Sequence, residues 1–164
     1  MQGSNKLITC CFTGNTKLPE KHIIHITKRL NAEIDKLIHQ GVTRFILGAT
    51  PGFDQIAASL IVAKKEMGAN IRLIFALSYQ NQIRHFDEPE RRLYRSLLRE
   101  IDELRFISTE YTQSCIKERN CYMVDNSAFC ICAFFPSIDE IEVEYAVNYA
   151  AKQGLQVINV IEEQ

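Results

Sequence analysis

Short apolar runs alternate with segments of helical periodicity along the whole 164-residue chain. Residues 130–135 are apolar throughout, which is typical of a strand buried on both faces of a sheet. Residues 19–40 instead repeat apolar side chains every three to four positions and end before Gly41, as a helix does. This alternation predicts an α/β protein, a single Rossmann-like three-layer domain over residues 1–164 with a mostly parallel sheet.

The predicted elements follow one another with short connections. Strands are predicted at residues 6–12, 42–47, 71–77, 105–108, 128–135 and 156–161. Helices are predicted at residues 19–40, 54–67, 82–103, 115–126 and 138–153. The third is either continuous or broken near Pro89, and its inner stripe is Leu93, Leu97, Ile101 and Leu104. Ligands of such sheets bind beyond the carboxyl ends of the strands. The loops at 13–17, 48–54, 78–82, 108–114 and 136–140 therefore form the candidate site.

A glycine-bracketed turn joins the second predicted strand to the second helix. Gly48 and Gly52 enclose this turn, and Asp54 follows at the start of the helix. Glycines allow close approach of the backbone to a ligand, and the first N–H groups of a helix attract anions. The loop is interpreted as a phosphate-binding loop or, alternatively, as a tight turn in which Asp54 caps the helix.

Charge and composition exclude several classes of protein. The formal net charge is −1, so the chain as a whole is not built to hold nucleic acid by counterion release. No apolar run approaches the ~20 residues of a membrane helix, and the polar N-terminus does not resemble a secretory signal, so a cytoplasmic location is expected.

The six cysteines and four histidines suggest no catalytic or metal site. Four cysteines lie in apolar strands and are expected to be small buried hydrophobes, and no C-x-x-C pair is present. No G-x-S-x-G motif occurs, and no histidine is paired with a nucleophile at a recognisable spacing. No metal ligand and no catalytic residue is named from this chemistry.

A polar helical segment carries the most specific motif of the chain. The residues that form it are Tyr111, Thr112, Cys115, Arg119, Asn120, Tyr122, Met123, Val124, Asp125 and Ser127. This pattern resembles the Y-T-x-x-C-x-x-x-R-N-x-Y-M-V-D-x-S motif of the YpsA-like family of the SLOG superfamily, which has a Rossmann-like fold. Relatives in that superfamily include the DNA-processing protein DprA and the LOG-type nucleotide hydrolases.

Further segments resemble the same family in the same order along the chain. They are Thr13-Gly14, the loop from Gly48 to Ala58, the turn from Tyr79 to Gln82, and the closing Gly154 with Val157-Ile158-Asn159. The resemblance implies a pocket for a nucleotide-type ligand such as ADP-ribose or NAD, and self-association as a homodimer. It implies that the phosphate and ribose side is lined by Thr13, Gly14, Gly48, Gly52 and Asp54. It further implies that Tyr79, Arg119 and Asn120 close the pocket.

The chain departs from the family pattern in two places. Asn15-Thr16-Lys17 stands where the family has His-Arg-Pro. The family's Gly-Gly-Thr turn after the fifth strand is replaced by a segment with Asp139, Glu140, Glu142 and Glu144. These carboxylates suit the first turn of a helix, but they would repel a phosphate placed there.

Three hypotheses follow. The first is a nucleotide-binding protein, with a sensor role as one use of the pocket. The second is a ligand-free scaffolding protein or a binder of single-stranded DNA, which the near-neutral charge does not favour. The third is a nucleotide hydrolase like the LOG-type relatives, in which Asp54 and Arg119 stand in for the acidic base and the arginine.

Overall fold

A computed structural model describes residues 5–136, 138 and 140–161. Six strands form one sheet in which every described pairing is parallel, in the order β4-β3-β2-β1-β5-β6. The strands are β1 (Thr9–Gly14), β2 (Arg44–Leu47), β3 (Arg72–Tyr79), β4 (Glu103–Ser108), β5 (Phe129–Ala133) and β6 (Gln156–Asn159). The predicted α/β class with a Rossmann-like parallel sheet is confirmed.

Five long helices connect the strands. They are α1 (Glu20–His39), α2 (Phe53–Glu66), α3 (Glu88–Leu98), α4 (Cys115–Asp125) and α5 (Ile141–Lys152). None of the helices in the described part of the chain is long and apolar enough to cross a membrane.

The two faces of the sheet bury separate apolar cores because successive side chains of a strand point to opposite faces. Phe12 and Phe45 belong to the core covered by α1, α2 and α3. Cys11 and Ile46 belong to the core covered by α4 and α5. The four strand cysteines predicted to be buried hydrophobes are free thiols in this packing: Cys10, Cys11, Cys130 and Cys132.

Of the two alternatives for residues 82–103, the break near Pro89 is confirmed and the continuous helix is wrong, and the helical segment ends at Leu98, earlier than predicted. A short 3-10 helix at Gln82–His85 ends at the extended residue Phe86, and α3 begins anew at Glu88. The reason is a capping box: Asp87 accepts a hydrogen bond from the Glu90 backbone, and the Glu90 side chain accepts one from the Asp87 backbone.

The predicted inner stripe of that helix is therefore only partly correct. Leu97 is buried, but Leu93 is 39% exposed, and Tyr94 takes the inward position instead. Ile101 and Leu104 follow the end of α3, and Leu104 lies in β4.

Two boundaries matter for the site. β3 continues through Ser78 and Tyr79, which the sequence placed in a loop, so both side chains are held by the sheet. The last helix begins at Ile141 rather than at residue 138, and Glu140 precedes it as the N-cap residue. Asp139, the first of the predicted carboxylates, lies outside the described residues.

The strand order fixes where a ligand can approach. The chain builds outward from β1 through β2 and β3 to β4, then returns to add β5 and β6 on the other side of β1. The connections on either side of this reversal leave a crevice at the carboxyl ends of β1 and β5. The ends of these strands are Gly14 and Ala133.

Candidate functional site

A cavity of about 240 Å³ opens at the carboxyl ends of the central strands. Six of the eight predicted ligand-binding residues line it: Thr13, Gly14, Asp54, Tyr79, Arg119 and Asn120. Gly48 and Gly52 do not line the cavity, and neither does any residue of the loop at 108–114. The fold thus brings together residues from three of the predicted loops and from α4.

Arg119 places a buried cation at the cavity. The buried residues of α4 recur on the side that faces the sheet: Cys115, Arg119, Asn120, Met123 and Val124. Arg119 donates a hydrogen bond from Nε to Asn120 Oδ1 at 2.8 Å and one from Nη1 to the Gly48 carbonyl oxygen at 3.2 Å. Burial lowers the pKa of Arg119 and the nearby Asp54 raises it. A guanidinium stays charged under these conditions.

Asp54 places a buried carboxyl group opposite this cation. Its side chain accepts a hydrogen bond from the Thr50 hydroxyl to Oδ2 at 3.1 Å. Burial raises the pKa of Asp54 to about 6, although Arg119, Thr50 and the nearby Gly48 backbone act in the opposite direction. Among the described residues, Asp54 Oδ1 is buried and has no hydrogen-bond partner. A buried acceptor without a partner costs roughly 1–3 kcal/mol, which a ligand that donates a hydrogen bond would recover.

The glycines of the predicted phosphate loop make room for the protein's own atoms. A Cβ atom at Gly48 would overlap the guanidinium of Arg119, and one at Gly52 would overlap the carbonyl oxygen of Thr16. Gly14 in the same way leaves space for the ring of Phe53. These contacts explain why a side chain cannot be accommodated at any of the three glycines. A direct role of the glycines in ligand binding stays a prediction.

The turn after β2 is held in an unusual backbone conformation. Ala49 has a φ of 62° and Gly52 a φ of 80°, both in the left-handed region. An alanine in this region is disfavoured by roughly 1–2 kcal/mol, and such residues are concentrated at functional sites. The alternative role of Asp54 as a helix cap is not observed, because Gly52 is the N-cap residue and no side chain caps this helix.

Glu140 occupies the donors of the loop after β1, a role that the sequence did not predict. Its Oε1 accepts hydrogen bonds from the Thr16 backbone N–H at 2.9 Å and from Asn15 Nδ2 at 3.2 Å. Its Oε2 accepts one from the Thr16 hydroxyl at 3.1 Å. Lys17 of the same loop is exposed and does not line the cavity.

Two further buried amides build the site without having been identified from the sequence. Asn15 is fully buried and accepts a hydrogen bond from the Phe135 backbone N–H at 2.9 Å, which joins the loop after β1 to the end of β5. Gln82 accepts from the Ser78 backbone N–H at 3.0 Å and donates to the Gly48 carbonyl oxygen at 2.9 Å. Asn15 directly follows β1 and Gln82 lies three residues after the end of β3, so both could have been suspected only as polar residues near a strand end.

An aromatic and apolar wall completes the cavity. Tyr79, His85 and Phe86 line it from β3 and the following 3-10 helix, and Met123 and Val143 line it from α4 and α5. The cavity therefore combines flat apolar surface with a few polar groups, as small-molecule sites usually do.

The pKa of Asp54 predicts a pH-dependent change in stability. The carboxyl binds its proton more tightly in the folded than in the unfolded protein, so its ionisation makes folding less favourable as the pH rises from about 4 to 6. Asp54→Asn should therefore stabilise the protein, by about 1 kcal/mol more at pH 7.5 than at pH 5. Urea unfolding of both proteins at the two pH values measures this.

Asp102 is the matched control, because its carboxylate accepts hydrogen bonds from Lys65 at 2.6 Å and from the Leu73 backbone at 2.8 Å. The pKa of Asp102 is lowered overall: burial raises it, but the interactions with Lys65 and the Leu73 backbone outweigh burial. Asp102→Asn should therefore destabilise the protein at pH 7.5. Equal effects of the Asp54 substitution at both pH values would contradict the raised pKa.

A doubly wound parallel sheet with a polar cavity at its switch point defines a Rossmann-like protein. The model of the YspA SLOG family matches residues 14–161, and the chain belongs to this family. No curated protein matches the chain significantly.

Two solved structures share the fold. The X-ray structure of TM1055, a structural genomics target, has 13% sequence identity and a TM-score of 0.58, over 92% of this chain and 72% of the TM1055 chain. DNA processing protein A from Helicobacter pylori, described for its single-stranded DNA binding mode, has 11% identity and a TM-score of 0.54. The match covers 92% of this chain and 65% of the Helicobacter pylori protein, so the present chain spans about two thirds of its length.

Proposed function

We propose that this protein binds a nucleotide or a nucleotide-derived small molecule in the cavity at the carboxyl ends of β1, β2 and β3. The observation that carries the proposal is the buried Oδ1 of Asp54, which has no partner among the described residues and belongs to a cavity that Arg119 also lines. Buried polar atoms are nearly always satisfied in folded proteins, so an atom of this kind in a cavity favours a ligand that donates to it.

The chemistry of the cavity matches the parts of a nucleoside. Carboxylates accept hydrogen bonds from sugar hydroxyls, and Asp54 has one oxygen without a partner among the described residues. Tyr79 and Phe86 offer aromatic surface to a base. The amide of Asn120 accepts from Arg119 and donates to the Glu142 carbonyl oxygen at 3.5 Å, which leaves one N–H and one lone pair for the edge of a base.

Isothermal titration calorimetry tests the proposal with adenosine, guanosine, cytidine, uridine, their 5′-monophosphates, ADP-ribose and NAD. At least one of them should bind with a Kd of about 1 mM or tighter. Asp54→Asn should weaken that binding at least tenfold while the protein becomes more stable, which separates a lost contact from a damaged fold. Asp102→Asn, far from the cavity, should leave binding unchanged. No heat from any compound with folded protein would overturn the proposal.

Hydrolysis of a nucleoside or nucleotide is a second candidate function, supported by the acid–base properties of Asp54. A buried carboxyl group with a pKa of about 6, on a residue that lines a cavity, suits proton transfer near neutral pH. Chromatographic detection of the free base after incubation tests this candidate, and base release that Asp54→Asn does not diminish would contradict it.

The charges of the cavity argue against single-stranded DNA as its occupant. Asp54, Glu140 and Glu142 line it together with Arg119, so carboxylates outnumber the guanidinium among the described residues. A DNA strand would bring further negative charge to this place. The homodimer and the sensor role implied by the family resemblance stay predictions.

A further inference from the structure

We infer that the cavity accepts a nucleoside without a phosphate group, and that Glu140 is the residue that excludes the phosphate. This inference rests on the proposed function and narrows the class of ligand. It concerns the loop at 15–19 between β1 and α1, which lies at the switch point of the sheet.

The first step is the geometry of Glu140. Its carboxylate accepts three hydrogen bonds, from the Thr16 N–H at 2.9 Å, the Thr16 hydroxyl at 3.1 Å and Asn15 Nδ2 at 3.2 Å. A backbone N–H, a hydroxyl and an amide that converge on one point before a helix are the donors that hold a phosphate in nucleotide-binding loops. Here the protein supplies its own anion to these donors.

The second step is the charge around that point. The described residues that line the cavity include three carboxylates, on Asp54, Glu140 and Glu142, and the guanidinium of Arg119. Arg119 already donates to Asn120 and to the Gly48 carbonyl oxygen. Like charges at close range repel strongly where water is scarce, so a phosphate dianion is disfavoured throughout this cavity.

The third step concerns cations that could compensate. Lys17 follows the donor loop directly, but its side chain is exposed and does not line the cavity. His85 lines the cavity from the 3-10 helix that follows β3, and not from the loop that Glu140 contacts. Neither group supplies a fixed positive charge beside Glu140.

The fourth step is size. A cavity of about 240 Å³ lies below the range of roughly 300–1,000 Å³ that is usual for small-molecule pockets. This volume favours one sugar and one base over a dinucleotide. The acceptor on Asp54 suits a sugar hydroxyl, which donates a hydrogen bond and carries no charge.

Calorimetric titration of each nucleoside beside its 5′-monophosphate tests the inference. Wild-type protein should bind at least one nucleoside tenfold or more tightly than the corresponding monophosphate. Glu140→Ala should strengthen monophosphate binding at least tenfold and change nucleoside binding less than threefold. Glu142→Ala is the matched control: it removes an equal charge from the cavity but leaves the donors of Asn15 and Thr16 occupied, so the preference for the nucleoside should persist.

Inorganic phosphate provides a readout that does not depend on the base. Phosphate at about 10 mM should raise the Tm of Glu140→Ala but not that of the wild type or of Glu142→Ala, because binding to the folded state alone stabilises it. Glu140→Ser, which vacates these donors and is a favourable N-cap residue for α5, serves the same purpose if the alanine variant folds poorly.

The outcomes separate the two proposals. A monophosphate that binds the wild type as tightly as its nucleoside would overturn the inference and leave the proposed function standing. If both Glu140 variants still prefer the nucleoside over its monophosphate by the same factor as the wild type, Glu140 is not the residue that excludes the phosphate. If no nucleoside and no nucleotide binds, both proposals are overturned.

Discussion

Gly52→Ala is expected to lower the free energy of unfolding by roughly 4 kcal/mol, about 1–2 kcal/mol from the left-handed backbone and the remainder from overlap. Gly52 has a φ of 80°, and a Cβ atom there would overlap the carbonyl oxygen of Thr16 and come within 2.8 Å of the Asn15 carbonyl oxygen. Both carbonyl oxygens belong to the backbone of the loop that Glu140 holds, so they cannot move away by a rotamer change as a side chain could. Chemical denaturation monitored by circular dichroism measures the loss.

Gly41→Ala is the matched control for this prediction. Gly41 has a φ of 99° at the end of α1. Apart from its neighbours in the chain, no described residue has an atom within 4 Å of the position that a Cβ atom would take. Gly41→Ala should therefore lower the free energy of unfolding only by the roughly 1–2 kcal/mol that a left-handed backbone costs an alanine. Equal losses of stability in Gly41→Ala and Gly52→Ala would show that the nearby carbonyl groups of Asn15 and Thr16 do not constrain Gly52.

Arg119→Met is expected to destabilise the protein by roughly 3 kcal/mol at pH 7.5, because it leaves Asp54 buried without a cation. The substitution also removes the hydrogen bonds to Asn120 and to the Gly48 carbonyl oxygen. Without Arg119 the pKa of Asp54 should rise further above its value of about 6. The variant should accordingly be less destabilised at pH 5, where Asp54 can be protonated.

A double-variant cycle isolates the coupling between the two side chains. Arg119→Met combined with Asp54→Asn should be about 1–2 kcal/mol more stable than the sum of the two single effects predicts, since no buried charge is left without its partner. Lys117→Met, a substitution of an exposed cation on the same helix, should change stability by no more than about 0.5 kcal/mol. Additive effects of the Arg119 and Asp54 substitutions at pH 7.5 would contradict an interaction between them.

The architecture was readily predictable because its signals are local. The apolar strand at residues 130–135 and the periodic helix before Gly41 each indicate their own structure. The break near Pro89 has an equally local cause, since the capping box of Asp87 and Glu90 starts a new helix inside residues 82–103.

The candidate site was predictable in its position and less so in its contacts. The family resemblance implied Thr13, Asp54 and Tyr79, and all three line the cavity because the parallel sheet brings the strand ends to one edge. Glu140 lies more than a hundred residues from Thr16 along the chain, and no spacing rule connects the two. Its hydrogen bonds exist only because β5 lies directly beside β1.

The amino-acid sequence by itself determined the parallel α/β architecture, the family and the group of loops in which the cavity lies, because periodicity, glycine placement and motif order are properties of neighbouring residues. Only the tertiary structure decided how that cavity is filled. Packing placed the guanidinium of Arg119 where Gly48 has no side chain, and it left Asp54 Oδ1 without a partner among the described residues. It also placed the Glu140 carboxylate on the donors of the loop after β1. Contacts between atoms so distant in the chain are fixed by strand order, which local sequence patterns do not encode.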